Sequence, residues 1–304
     1  MAIRASLDRL LRRSPMQLAF RRRAAQRLTV LAYHGIDDPG NFRDHLDYLT
    51  GAMRPVSLEQ VVEALSGERE LPPHAVLLTF DDGHRSLLEA GLPLLRERDC
   101  PAVAFVVAGV LDSDEPFWWT EVEQLVARGG SAGGHQGLSG KALVARLKNL
   151  PDRERLQVLA ELRRTAGGPR PRTPQLRSQE LRVLEAAGVA VGNHTLTHPC
   201  LPHCDGGKVA AEVGEADRAL RDVLGHHPRA FAYPNGDWDQ RAERLLAAAG
   251  YQAAFLFDHR VNRPGSTAPL RISRVRANAG SRLDRLALIA SGLHPALHRA
   301  RGRS

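Results

Sequence analysis

Two short stretches carry residue types that can do chemistry together, 194-HTLTH-198 and 79-TFDDG-83. His194 and His198 are four apart, so on a helical turn they face the same way and can chelate one ion. A carboxylate from another segment would complete a two-His, one-carboxylate set with positions left open for water or substrate, the ligand pattern of a catalytic site. Zinc suits this set first; cobalt, nickel, manganese and iron also fit. Asp81 and Asp82 are adjacent, and two bare buried carboxylates repel each other. A single divalent cation relieves that cost, with one Asp on the metal and the other beside the attacking water. Each motif alone has a plainer reading: a surface His pair, and a solvated turn.

These residues need elements to position them. Seven apolar runs read as strands: 28–34, 75–80, 102–107, 189–193, 230–233, 252–257 and 270–275. Several are continuous rather than alternating, as expected of strands covered on both faces. Helical patterns at 58–67, 84–99, 208–225 and 239–250 separate them, three ending in the stop signal Gly. Strands alternating with helices imply an α/β fold with a parallel sheet, and seven of them fit a barrel slightly smaller than the eight-stranded type. Residues 111–177 break the rhythm. They hold 117-FWWTEVEQLVARGG-130, a helical 141–167 and a Pro-rich linker. This is expected to be a helical insertion between strands three and four, with few apolar residues of its own, covering one rim. His34, Asp81–Asp82, His194 and Tyr233–Gly236 all follow strands, where barrel enzymes place their chemistry.

TFDDG, then HTLTH, then the turn 232-AYPNG-236 resembles the NodB-homology polysaccharide deacetylases, carbohydrate esterase family 4, across most of residues 28–276. The resemblance implies a distorted (β/α)7 barrel that removes acetyl groups from N-acetylated sugars. It implies Asp81 as base and Asp82, His194 and His198 as metal ligands. Commoner members read R-x-P-Y-G at the third motif. Their Arg, which orients the base, falls here on Ala232, and Arg271 or Arg274 is expected to replace it. Their oxyanion-stabilising backbone N–H falls on Asn235 and survives side-chain replacement. Tyr233, Pro234 and Trp238 are expected substrate contacts; Trp118 and Trp119 are expected to pack the insertion. Commoner members also carry a catalytic His on the last strand. None occurs in 270-LRISRVRAN-278, but His34 ends the first strand, its neighbour in a closed barrel. That order resembles the poly-N-acetylglucosamine deacetylase type and makes His34 the expected acid, protonating the departing amine.

The net charge of +8 sits at the ends. Residues 1–27 carry +7 and residues 281–304 carry +4, leaving the expected barrel of 28–280 near −3. Basic ends suit an anionic surface such as a membrane leaflet. No motif points to nucleic acid. Segment 3–20 reads as a basic amphipathic helix broken near Pro15, which would lie on a membrane or pack on the body. Lacking an apolar export segment, the chain is expected to be cytoplasmic or peripheral to a membrane. Cys100, Cys200 and Cys204 make no disulfide framework. The expected activity is metal-dependent N-deacetylation of an N-acetylhexosamine glycan or glycolipid. Two alternatives stand beside it: an O-acetyl esterase or non-sugar amidase, and an inactive metal-bound glycan binder, which the loss of Arg at Ala232 favours.

Overall fold

The computed structural model describes residues 2–300; the end of the expected basic tail lies outside the described residues. Among them are strands β1 (Thr29–Tyr33), β2 (Arg54–Pro55), β3 (Ala75–Phe80), β4 (Ala102–Val106), β5 (Val189–Asn193), β6 (Ala230–Ala232), β7 (Ala253–Phe255) and β8 (Val275–Arg276). They form one sheet in the order β7-β6-β5-β4-β3-β1-β8, with β2 pairing beside β3. Every pairing between named strands is parallel. The two-residue β2 is an addition to the seven expected strands, since Arg-Pro carries no apolar run to betray it. The seventh expected strand is regular only at its end. Upstream of β8, Ile272 bridges Phe255 of β7, while Val275 pairs with Leu31 of β1. The 270–276 stretch therefore spans from the last strand to the first and closes a distorted (β/α) barrel.

Strand alternation sorts the core into two layers. Val30, Leu77, Val103, Phe105, Ala232, Phe255 and Ile272 fill the interior. Gly192 lies there too, where a Cβ would stand 2.6 Å from the Phe105 ring. The outward residues Leu31, Leu78, Phe80 and Val191 are covered by helices. Each such buried side chain contributes about 1.5–3 kcal/mol.

The helices are α1 (Ala2–Arg12), α2 (Pro15–Ala24), α3 (Pro39–Ala52), α4 (Leu58–Ser66), α5 (Leu92–Arg96), α6 (Trp118–Ala127), α7 (Gly140–Leu147), α8 (Asp152–Thr165), α9 (Ser178–Ala186), α10 (Gly206–Leu224), α11 (Gln240–Ala248), α12 (Leu283–Ala290) and α13 (Leu293–Ala300). The helix expected at 84–99 is a π-helical turn, Leu87–Gly91, leading into α5. Pro93 has no N–H to continue the regular ladder. The helical stretch at 141–167 is likewise two helices, α7 and α8, parted by Pro151.

The insertion corrects an expectation. It has an apolar core of its own, built from Trp118, Val122, Leu125, Leu143, Leu147, Leu159 and Leu162. The N-terminal segment breaks at Ser14–Pro15 as read, and packs on the body. Arg12 pairs with Asp284 at 2.8 Å and Asp8 with Arg285 at 2.9 Å, joining α1 to α12. Leu7, Leu10, Met16 and Leu18 stay exposed. No helix among the described residues is long and apolar enough to cross a membrane.

Candidate active site

Strand β3 aims Asp81 inward. Leu77 faces the interior, Thr79 meets Arg274, and Asp81 is the next residue on that face. Asp82 would point the other way if the strand continued. Instead it adopts φ 72°, a left-handed turn that brings its carboxylate back to the rim. Thr195 (φ 69°), His198 (φ 55°) and Asn235 (φ 56°) share this conformation. Each costs on the order of 1–3 kcal/mol in a non-Gly residue, and such residues gather at functional sites. One ligand atom each from Asp82, His194 and His198 lies within 4.8 Å of the others. His194 Nε2 and His198 Nε2 stand 3.5 and 3.6 Å from Asp82 Oδ1. Those separations are long for hydrogen bonds. They match two donors about 2.1 Å from a common ion at a tetrahedral angle, which sit about 3.4 Å apart. The donor set thus fits a metal.

The ligands are held from behind. His194 Nδ1 lies 2.8 Å from the Ala232 carbonyl, which can only accept, so the proton sits on Nδ1 and the Nε2 lone pair faces the site. His198 is carried on a loop clamped at several points. The Glu212 carboxylate accepts from the backbone N–H groups of Leu196 and Thr197 and from the Thr197 hydroxyl. Asn193 Oδ1 accepts from the Thr195 N–H at 2.7 Å. Trp118 Nε1–H donates to the His198 carbonyl at 2.9 Å, and the Trp119 ring lies 4.6 Å from the His198 ring. Burial pushes the His198 imidazole down to about 3, so it is neutral and its lone pair is available. For Asp82, burial opposes ionisation, but His194, with His198 and His34, outweighs it and holds the carboxyl below its ordinary range.

Asp81 has a different partner. Arg274, 0% exposed, grips it with two hydrogen bonds of 2.5 and 2.8 Å. Burial alone would raise the Asp81 carboxyl; the Arg274 guanidinium reverses this and lowers it. Arg274 packs between the Phe105 and Phe257 rings. Of the two arginines proposed for the role vacated at Ala232, Arg274 is the one beside Asp81. Arg271 pairs with Glu243 and stacks on Trp238, 4.2 Å from the ring centroid.

A cavity of about 290 Å³ gathers His34, Asp81, Asp82, His194, His198 and Asn235 with Trp119, Lys148, Phe257 and Arg276. Asn235 sits in the third-motif turn, where Gly236 is required: a Cβ there would fall 2.3 Å from the Phe257 backbone nitrogen. Two expected substrate contacts are corrected. Tyr233 is fully buried against Phe231 and donates its hydroxyl to the Leu270 carbonyl at 3.2 Å. Pro234 is buried as well. They build the turn and do not line the cavity. Trp238, 38% exposed, lines an adjoining cavity of about 560 Å³ with Lys148, Asn235 and Asp237. Cys100, Cys200 and Cys204 are free and buried. Cys200, pushed up to about 11 by burial, accepts from the Asn235 side chain at 3.2 Å.

Sequence reasoning missed Lys148, Phe257 and Arg276 and set Trp119 aside as packing. Phe257 and Arg276 lie at or next to expected strand ends, the signal that found His34. Lys148 had no such signal, because it comes from the insertion.

A metal-competent Asp-His-His rim on a parallel barrel, with a second buried Asp beside it, defines a hydrolytic class of site. The chain belongs to the polysaccharide deacetylase family, whose profile matches residues 68–254. It is similar to the poly-beta-1,6-N-acetyl-D-glucosamine N-deacetylase of Escherichia coli (strain K12), 32% identical over 96 residues, 28% of this chain and 14% of that protein. It is also similar to the chitooligosaccharide deacetylase of Bradyrhizobium sp. (strain ANU 289), 39% identical over 74 residues, 24% of this chain and 34% of that protein. The chain thus matches between 14% and 34% of these relatives' length. The fold resembles Streptococcus pyogenes deacetylase PplD (17% identity, TM-score 0.62, 87% of this chain and 98% of that one). It also resembles IcaB from Ammonifex degensii (22% identity, TM-score 0.60, 88% and 97%).

Proposed function

We propose that this protein removes N-acetyl groups from an N-acetylhexosamine glycan or glycolipid, with one divalent metal, zinc first, on Asp82, His194 and His198. The observation that carries the reading is Asp81: a buried carboxylate, gripped by Arg274, in the same cavity as those three donors. The metal's contribution when bound is to acidify water and polarise the acyl oxygen. Asp81, kept ionised and aimed by Arg274, takes the water proton. The Asn235 backbone N–H steadies the charge that develops on the acyl oxygen. His34, in the same cavity, gives a proton to the departing amine, without which an amide nitrogen leaves poorly. Arg274 supplies what Ala232 lacks, which removes the ground for a non-catalytic binder. The relatives' names favour an amide-linked acetyl over an ester. Trp238 and Trp119 offer faces for sugar rings. The exposed leucines and arginines of α1 and α2 support work at an anionic membrane surface.

The test joins metal analysis to acetate release from chitooligosaccharides, poly-N-acetylglucosamine and peptidoglycan. The reading expects about one metal per chain and acetate from at least one substrate; no acetate from any of them overturns it. His34→Ala should slow amide hydrolysis far more than that of an activated acetyl ester, and equal losses remove His34 as the acid.

A further inference from the structure

Two cations whose side chains make no ion pair or hydrogen bond among the described residues border the cavity. Lys148, half-buried at the end of α7, borders both the cavity that holds Asp81 and the adjoining one that holds Trp238. Arg276, on β8 next to Ala32 of β1, borders the first cavity and a third of about 360 Å³ lined by Asn278, Ser281 and His294. Among the described residues neither side chain has an ion pair or hydrogen bond, although most arginines around the barrel do. Asp237, the one carboxylate lining Lys148's second cavity, feels its charge but makes no ion pair with it. Both cations border the cavity that holds Asp81, and each also borders a different adjoining cavity.

A neutral N-acetylated glycan offers these cations hydrogen-bond acceptors but no countercharge. Its product is worse matched, because the freed amine takes up a proton and meets like charge. We infer that the substrate is an anionic glycan, with a carboxylate or phosphate on a unit flanking the acetylated sugar, read by Lys148 and Arg276; this rests on the deacetylase reading above. Arg276 can take such a group with two donors at once, and Lys148 supplies a point charge.

The test compares oligosaccharides of equal length. N-acetylglucosamine oligomers form the neutral arm, hyaluronan oligomers, alternating N-acetylglucosamine with a uronate, form the carboxylate arm, and phosphodiester-linked N-acetylglucosamine oligomers form the phosphate arm. Acetate release is measured on metal-loaded protein and binding by calorimetry on chelator-treated protein. The inference expects at least one anionic arm to exceed the neutral arm in kcat/KM and in binding, with the advantage shrinking as salt rises. Which anionic arm leads identifies the group. Lys148→Ala and Arg276→Ala should each cut the anionic-to-neutral ratio by about fivefold, in binding as in turnover. Equal or faster release from the neutral arm, or a ratio untouched by both variants, overturns the inference and leaves the deacetylase reading standing. No release from any arm overturns both.

Discussion

The two walls of the cavity are made differently. The barrel wall is built from strand ends: Asp81, Asp82 and His194 are buried, Asp81 is backed by Arg274 and His194 by the Ala232 carbonyl, and Asp82 is bent into a costly backbone conformation. The insertion wall is built from helices with their own small core. It reaches the cavity through Trp119 and Lys148 and touches the metal-ligand loop through Trp118. The first wall has almost no freedom, because each chemical group is fixed by a partner on another strand. Among the described residues the second meets a ligand only where Trp118 and Trp119, at the start of α6, touch His198. The difference teaches a division of labour: the sheet fixes the reaction, and the segment between β4 and β5 shapes what reaches it.

That division can be broken or sharpened experimentally. The largest effect belongs to Asp81→Asn, which should lower acetate release by about 10³-fold or more while plasma mass spectrometry finds metal content near wild type. Loss of the metal would make Asp81 a ligand instead. Arg274→Met comes next. It should destabilise the protein by about 3–5 kcal/mol in denaturant titration, because Asp81 is left buried and unpaired. In the variant that still folds, the acid limb of kcat/KM should move to higher pH. Arg274 holds the Asp81 carboxyl below its ordinary range, so without it burial raises that carboxyl and protonation silences the base sooner as pH falls. An unmoved limb would reduce Arg274 to scaffolding. Trp118→Phe removes the indole hydrogen bond to the His198 carbonyl and should weaken metal binding about tenfold in chelator competition. Should the affinity hold, the insertion is independent of the metal altogether. Smallest at the site is Leu147→Ala. It should cost about 2–5 kcal/mol of stability and raise KM next to Lys148, with metal affinity unchanged.

The sequence made the barrel wall readable because strand ends and chemical residues coincide there. Continuous apolar runs located the strands, and the polar residue after each run located His34, Asp81, Asp82 and His194. The closing stretch was read as a strand, yet only Val275 and Arg276 are regular, since Arg274 turns inward to Asp81 and Ile272 reaches the other edge. Choosing between Arg271 and Arg274 needed the inward–outward alternation past Ile272, which a one-dimensional pattern leaves open. Tyr233 was misread because its motif position resembles a binding turn, while its aromatic ring fills the space between β6 and the Leu270 carbonyl. The insertion was the least readable part. Its helices carry no strand-end signal, and its core is assembled from residues up to 44 positions apart, Trp118 to Leu162.

The 270–276 stretch carries a consequence for biosynthesis. Asp81 and Arg274 are 193 residues apart in the chain. While a ribosome is still making the intervening barrel, β3 is already emerging with two adjacent acidic side chains and no guanidinium to quiet them. Contacts of such long sequence separation form late. The pairing of Asp81 with Arg274 therefore comes into being only when the final strand docks beside the first, and a chain interrupted before residue 274 leaves Asp81, the proposed base, without its guanidinium.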